Sequence, residues 1–284
     1  MNTSHFTSHY SMSNALKNNA NSQIYFLWGL KRSGIHFFVN WLYHNLGATQ
    51  QAEIVANLNI HPQLQRGFYD PLTSVAFFNN CGHLNSRDYQ LGAISGKDFR
   101  RCAEDYKSII FGLEDADLKG CVKQTLLSPN ITHIILLRDP LNNIASRKKA
   151  AQNKPDVFPT HEGYLALYEN YCKEVLQHSN HIKRKYFVSY NRMVLEPSYR
   201  KKIAARLKIP NFDYTDLVSA YGDGSSFTGL KTPNKKELMT RFKDYSIPTT
   251  LLEQLKHQKY TLEVCRKIFG YDLNLACDEL ILQN

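Results

Sequence analysis

The chain has 284 residues, 43% hydrophobic and 21% charged, which excludes a solvated disordered polymer and allows one large buried core. Lys and Arg number 35 against 25 Asp and Glu, and the net charge of +10 favours an anionic ligand: a nucleotide, a nucleic acid, an acidic glycan or a membrane surface. No run of about 18 apolar residues occurs, so no membrane span is expected. The six cysteines (81, 102, 121, 172, 265 and 277) contain no C-x-x-C pair and read as mostly buried thiols of a reducing compartment, not a secreted disulfide framework.

Residues 1–22 are rich in Ser, Asn and His and lack the basic start and apolar centre of a signal peptide, so a flexible polar tail and a cytoplasmic protein are expected. Residues 23–284 are expected to form one domain. The apolar run Ile24 to Trp28 reads as a buried strand. Ile35 to Leu46 carries Phe38, Trp41, Leu42 and Leu46 at helical spacing, with Gly47 as a stop. Short apolar runs follow at 53–57 and 74–78, and residues 97–107 look helical. SIIFGLE (108–114) and THIILLRDP (132–140) are strands, and Pro140 suits the first turn of the helix LNNIASRKKAAQ. A helix over 161–179, a strand over 184–190 and a helix over 197–208 complete the regular part, while 58–96 and 211–247 are the least regular. Apolar strands separated by helices predict an α/β fold with a parallel central sheet flanked by helices. In such folds ligands collect at the carboxyl ends of the strands.

The first strand feeds the loop GLKRSG. Gly29 and Gly34 have the spacing of the phosphate-binding G-x-x-x-x-G, but Ile35 and His36 stand where that loop has Lys and Ser or Thr. The side chains that hold a nucleoside triphosphate and its Mg²⁺ are therefore missing. What remains is a glycine loop presenting helix N-terminal N–H groups to an anion, with the planar donor fork of Arg32 beside it. A second pattern joins it: Arg138 ends a buried strand and Ser146 sits about two turns into the next helix. Both can reach a second phosphate.

Arg32-Ser33-Gly34-Ile35-His36-Phe37 resembles the 5′-phosphosulfate loop [KR]-[ST]-G-T-[TS]-[WFLH] of sulfotransferases, which use 3′-phosphoadenosine 5′-phosphosulfate (PAPS). RDPLNNIAS resembles their 3′-phosphate motif R-[ND]-P-x-[DN]-x-x-x-S. FVSYNRMVLEP resembles their strand ending in Y-E-D-L, SSFTGLK (225–231) a later T-S-F-x-x-M-K, and TLEVCRKIFGYDL their last helix. The resemblance implies the P-loop-like three-layer sulfotransferase architecture, PAPS as cosubstrate, PAP (3′,5′-bisphosphoadenosine) as product and no metal. It places Arg32 on the bridging and sulfuryl oxygens, Ser33, Gly34, Ile35 and His36 on the 5′-phosphate through their backbone, and Arg138 and Ser146 on the 3′-phosphate. Phe37, Tyr190, Ser225 and Phe227 would surround the adenine, with Ser226 beside them. Asn191 departs from the family Glu, and no Arg-Lys-Gly triplet follows SSF; Lys231, Lys235, Lys236 or Arg241 would supply that charge.

Sulfuryl transfer needs a base for the acceptor hydroxyl. The strand before the Arg138 strand ends at Glu114-Asp115, and a carboxylate shielded from water there can serve. Glu53, His36, His61 and His83 are the rivals. The variable segments carry Tyr69, Phe77, His83, Tyr164 and Tyr168, an aromatic and amide mixture that suits a hydroxylated ring, a sugar in preference to a phenol. Two other readings stand beside this one. A nucleotide or small-molecule kinase is opposed by the missing Lys-Ser/Thr pair. A non-catalytic binder of PAP or another anion remains, but no nucleic-acid-binding pattern is present. Oligomeric state is open.

Overall fold

The structure, a computed structural model, describes residues 23–46, 67–70, 75–79, 108–118, 131–153, 161–210 and 239–283. In chain order the elements are β1 (Gln23–Gly29), α1 (Ile35–Leu46), β2 (Gly67–Asp70), β3 (Val75–Asn79), β4 (Ser108–Glu114), β5 (Ile131–Leu137), α2 (Pro140–Asn153), α3 (His161–Val175) and β6 (Lys185–Ser189). Then follow α4 (Tyr190–Leu195), α5 (Pro197–Leu207), a 3₁₀ turn (Arg241–Asp244), α6 (Thr249–Lys256), α7 (Lys259–Val264), a π-helical turn (Cys265–Phe269) and α8 (Leu273–Gln283). The chain divides into two compact units, one of Met1–Trp28, Leu42–Ile134 and His181–Tyr186, the other of Gly29–Trp41, Ile135–Asn180 and Phe187–Asn284.

The strands join in the order β2-β3-β4-β1-β5-β6. Burial follows that order. Ile24 to Gly29 are buried without a break, as an internal strand covered on both faces requires, whereas the edge strand β6 exposes Tyr186. β3 and β4 pair in parallel. Gln23 at the start of β1 donates its Nε2 to Thr132 Oγ1 at the start of β5, 3.0 Å away, and the chains leaving the two strands meet again at Arg32 and Arg138, so β1 and β5 are parallel. The α/β class with a parallel sheet holds. β2, within a segment read as irregular, pairs antiparallel with β3, from Gly67 against Phe78 to Asp70 against Val75. With β4 on one side of β1 and β5 on the other, the end of β1 is a switch point of the sheet, where ligands of open α/β sheets bind.

In the first unit an aromatic row crosses three strands. Phe26 on β1 stacks on Phe111 of β4 with ring centroids 5.0 Å apart and on His133 of β5 at 5.4 Å. Trp28 Nε1 donates to His133 Nδ1 at 3.1 Å, which pairs the buried indole and fixes the imidazole acceptor. In the second unit α1 buries Phe38 and Trp41 of the predicted stripe together with Ile35 and Val39, and α3 buries Tyr164, Tyr168 and Tyr171. Two boundaries differ from expectation for local reasons. β6 stops at Ser189, whose Oγ accepts from Arg192 N and caps α4, so Tyr190 opens a helix instead of ending a strand. The final helix stops at Gly270, left-handed at φ 77°, and α8 follows it. Cys172, Cys265 and Cys277 are buried free thiols, as expected for these three, and burial pushes Cys277 up to about 12.

Phe26→Ala removes the centre of the aromatic row and should cost about 3–5 kcal/mol. A denaturant melt checks it; a loss under about 1 kcal/mol would show that the row contributes little.

Candidate functional site

All the geometry in this subsection belongs to the second unit, except where Glu114 and Asp115 are named. The turn from β1 into α1 is made by Leu30 to Gly34. Ser33 N donates back to Leu30 O at 2.9 Å, and Phe38 N makes an early helical bond to Gly34 O at 3.0 Å. Two residues of the turn are left-handed, Arg32 at φ 67° and Gly34 at φ 95°. Left-handed residues curl consecutive N–H groups into a concave anion-binding nest, and the first turn of α1 adds N–H groups that have no intrahelical carbonyl.

Gly34 is required by more than its backbone. A Cβ there would overlap the Cδ2–Cε2 edge of the Tyr190 ring, so the tyrosine is packed directly against the glycine. Phe37 meets the same ring edge-on at 5.7 Å, and the guanidinium of Arg138 lies over it at 5.0 Å. Gly34, Phe37, Arg138 and Tyr190, distant in sequence, thus form one cluster. Ser33 is fully buried and its Oγ faces back toward Gly29, where a Cβ would come within 2.8 Å of it. Ile35 also turns inward: it is buried, and its Cδ1 would lie 2.9 Å from a Cβ on Gly29. That accounts for the isoleucine in place of a hydroxyl residue: its side chain faces the inside of the turn, and only its backbone is left for an anion. His36 is half-buried, with Nδ1 shielded from solvent.

The Arg-to-Ser motif meets this loop. Arg32 Nε donates to Ser146 Oγ at 3.4 Å, and Arg138 Nη1 donates to the Arg32 carbonyl at 3.1 Å. Arg138 and Ser146 are both buried. Arg32 itself is half-buried. From α2, Asn143 Nδ2 donates to Lys31 O at 3.2 Å and Arg147 Nη1 to the same oxygen at 3.4 Å. The Arg138 carbonyl accepts from the Tyr168 hydroxyl at 2.7 Å; burial raises that phenol well above its usual pKa and keeps it a neutral donor. Tyr168 is therefore a strut beneath Arg138, not an acceptor-contacting ring, and Tyr164 is likewise buried, under the Arg147 guanidinium at 4.8 Å.

Asp139 and Asn191 were not expected as site residues. Asp139 caps α2, its Oδ1 accepting from Asn142 N at 3.0 Å ahead of Pro140. Its Oδ2 accepts from Asn142 Nδ2 at 2.7 Å and Asn191 Nδ2 at 2.9 Å, and its own N–H donates to Asn191 Oδ1 at 3.2 Å. This two-way bracket joins the chains leaving β5 and β6. An amide can donate and accept at once; a glutamate in place of Asn191 would set a second carboxylate against Asp139. The Asp-Pro pair was the sequence signal for the cap, and nothing in the sequence pointed to the bracket.

Glu114 and Asp115 are half-buried at the end of β4, Asp115 left-handed at φ 56°. Arg241 is buried at the start of the 3₁₀ turn. Ser225, Ser226, Phe227, Lys231, Lys235, Lys236, Glu53, His61 and His83 lie outside the described residues.

Gly34→Ala should cost more than about 2 kcal/mol, because the left-handed backbone penalty adds to the overlap with Tyr190. Gly34→Ala combined with Tyr190→Ala should cost less than the sum of the two single changes in thermal melts. Strict additivity would mean that ring and glycine are not in contact.

No protein-family profile and no curated protein matches the sequence. Among solved structures, the chain is similar to the sulfotransferase domain of the Synechococcus PCC 7002 olefin synthase, with 18% identity over 89% of this chain and 95% of that one, at a TM-score of 0.49. It is also similar to mouse sulfotransferase SULT7A1, solved in complex with PAP, with 14% identity over 96% of this chain and 94% of that one, at a TM-score of 0.48.

Proposed function

We propose that the protein is a PAPS-dependent sulfotransferase. The observation that carries the reading is the meeting of Arg32, Arg138 and Ser146: one motif from the end of β1 and one from the end of β5 share hydrogen bonds around the loop at Gly34. A nest of N–H groups beside two guanidinium groups suits two separate phosphates. Ser146 and Arg138 are buried and both hydrogen-bonded to Arg32, so the three groups are gathered where an anion would meet charged and hydroxyl donors together.

PAPS supplies the sulfuryl group. In the proposed arrangement the N–H groups of Gly34, Ile35 and His36 hold the 5′-phosphate while the Ser33 N–H closes the turn on Leu30 O, and the Arg32 guanidinium would face the oxygens on which charge builds as the sulfur–oxygen bond to phosphate breaks. Arg138 and Ser146 hold the 3′-phosphate. Phe37 and Tyr190 offer the adenine an aromatic wall, joined by Ser225, Ser226 and Phe227, with Lys231 as added charge. Glu114 takes the acceptor hydroxyl proton as the new oxygen–sulfur bond forms; its support is the half-buried position at the carboxyl end of β4. A glycan hydroxyl is the favoured acceptor and a phenol the alternative.

PAP at a hundredfold excess over its dissociation constant should stabilise the protein by about 2.7 kcal/mol over the ligand-free state, well beyond the effect of AMP at the same concentration, and Arg138→Ala should erase the difference between the two. Equal shifts for the two nucleotides would defeat the assignment of the 3′-phosphate. Glu114→Gln should keep PAP affinity while turnover falls at least ~100-fold. Undiminished turnover would remove Glu114 as the base, and transfer to phenols with every sugar inert would remove the glycan.

A further inference from the structure

We propose that Asn143 and Arg147 are positioning residues for the anion loop, holding the Lys31 carbonyl so that Arg32 stays left-handed with its side chain on Ser146. The inference rests on the anion-loop reading above and adds two residues that no motif assigns.

The problem they solve is the backbone of Arg32. A φ of 67° is adverse for a residue with a Cβ, and such a conformation persists only where the surroundings hold it. Both peptide groups flanking Arg32 are held by their oxygens. The one before it, at the Lys31 carbonyl, accepts from Asn143 Nδ2 at 3.2 Å and from Arg147 Nη1 at 3.4 Å. The one after it, at the Arg32 carbonyl, accepts from Arg138 Nη1 at 3.1 Å. In a trans peptide the N–H points opposite to the carbonyl. Drawing the Lys31 carbonyl toward α2 and the Arg32 carbonyl toward Arg138 keeps both oxygens from facing an anion, while the Ser33 N–H closes the turn on Leu30 O.

The two residues are four apart on α2 and so share a face, with Ser146 beside them. All three are buried. Arg147 is seated by its guanidinium over the Tyr164 ring at 4.8 Å, which limits where its donors can point. Asn143 carries a more telling sign. Its Oδ1 is buried with no hydrogen-bond partner among the described residues, although its Nδ2 is used. An unsatisfied buried acceptor is destabilising, and a leucine of similar size would avoid it. The asparagine is retained for its donor, and that donor serves the loop.

This gives opposite expectations for stability and for binding. Asn143→Leu should melt no lower than the native protein, yet bind PAP at least tenfold more weakly by calorimetry. Without ligand, its loop amides between Lys31 and Gly34 should exchange hydrogen at least tenfold faster. Arg147→Leu should also loosen the loop, while Arg147→Gln, which keeps a donor without the charge, should restore most of the protection and affinity. A folded Asn143→Leu protein with PAP affinity and loop exchange both within twofold of native would overturn the inference. If Asn143→Leu does not fold, the two Arg147 variants decide, and identical behaviour of Leu and Gln overturns it. A native protein that binds no PAP would instead refute the sulfotransferase reading, and the exchange rates would still decide whether the two residues hold the loop.

Discussion

The site depends on one constraint: between β1 and α1 the chain must turn with Arg32 and Gly34 both left-handed. A glycine takes that conformation readily, but an arginine does not. The rest of the second unit's polar interior is arranged around this difference. The Tyr190 ring packs directly against Gly34, and donors from the β5–α2 turn and from α2 take the carbonyls on either side of Arg32. A glycine at position 32 would ease the strain but would remove the guanidinium that meets Ser146. The loop keeps the charge and accepts the strain, and α2 supplies the hydrogen bonds that hold it.

Those bonds need α2 at a fixed height, and Asp139 and Asn191 set it. The carboxylate caps the helix, and the amide of Asn191 brackets the same residue from the chain leaving β6. The Tyr168 hydroxyl braces Arg138 from α3. Buried polar groups of this kind are costly unless each is paired, and here most are paired with backbone atoms of the loop or of the turn beneath it. The sheet order explains why these segments meet. β1 lies between β4 and β5, so the loop after β1 opens where crossovers diverge to the two sides.

The strands were legible because internal parallel strands read as unbroken apolar runs. SIIFGLE coincides with β4, and the run after Ile131 with β5. The edge pair was not legible: β2 is short, GFYD, and its antiparallel partner is set by the sheet, not by local pattern. The apolar and aromatic pattern FVSY favours a strand through Tyr190, whereas the Ser189 cap decides for helix one residue earlier. The meeting of Arg32, Arg138 and Ser146 follows from two short motifs, each tied to a strand end. The supports behind them were hidden, because Asn143, Arg147 and Asn191 make their bonds to backbone carbonyls or to a carboxylate far away in sequence, and such partners leave no spacing to read. Ile35 and Asn191 looked like losses relative to the sulfotransferase pattern. In the fold, one packs inward against Gly29 and the other completes the bracket on Asp139.

The central claim is that one loop and one helix form two distinct phosphate sites side by side, and phosphorus NMR of PAP tests it most directly, since the 3′- and 5′-phosphates give separate resonances. Both should move when the native protein is added. With Ser146→Ala the 5′ resonance should still move while the 3′ resonance returns toward its free position. A 3′ resonance that never responds to the native protein, or that responds equally with Ser146→Ala, would contradict the account.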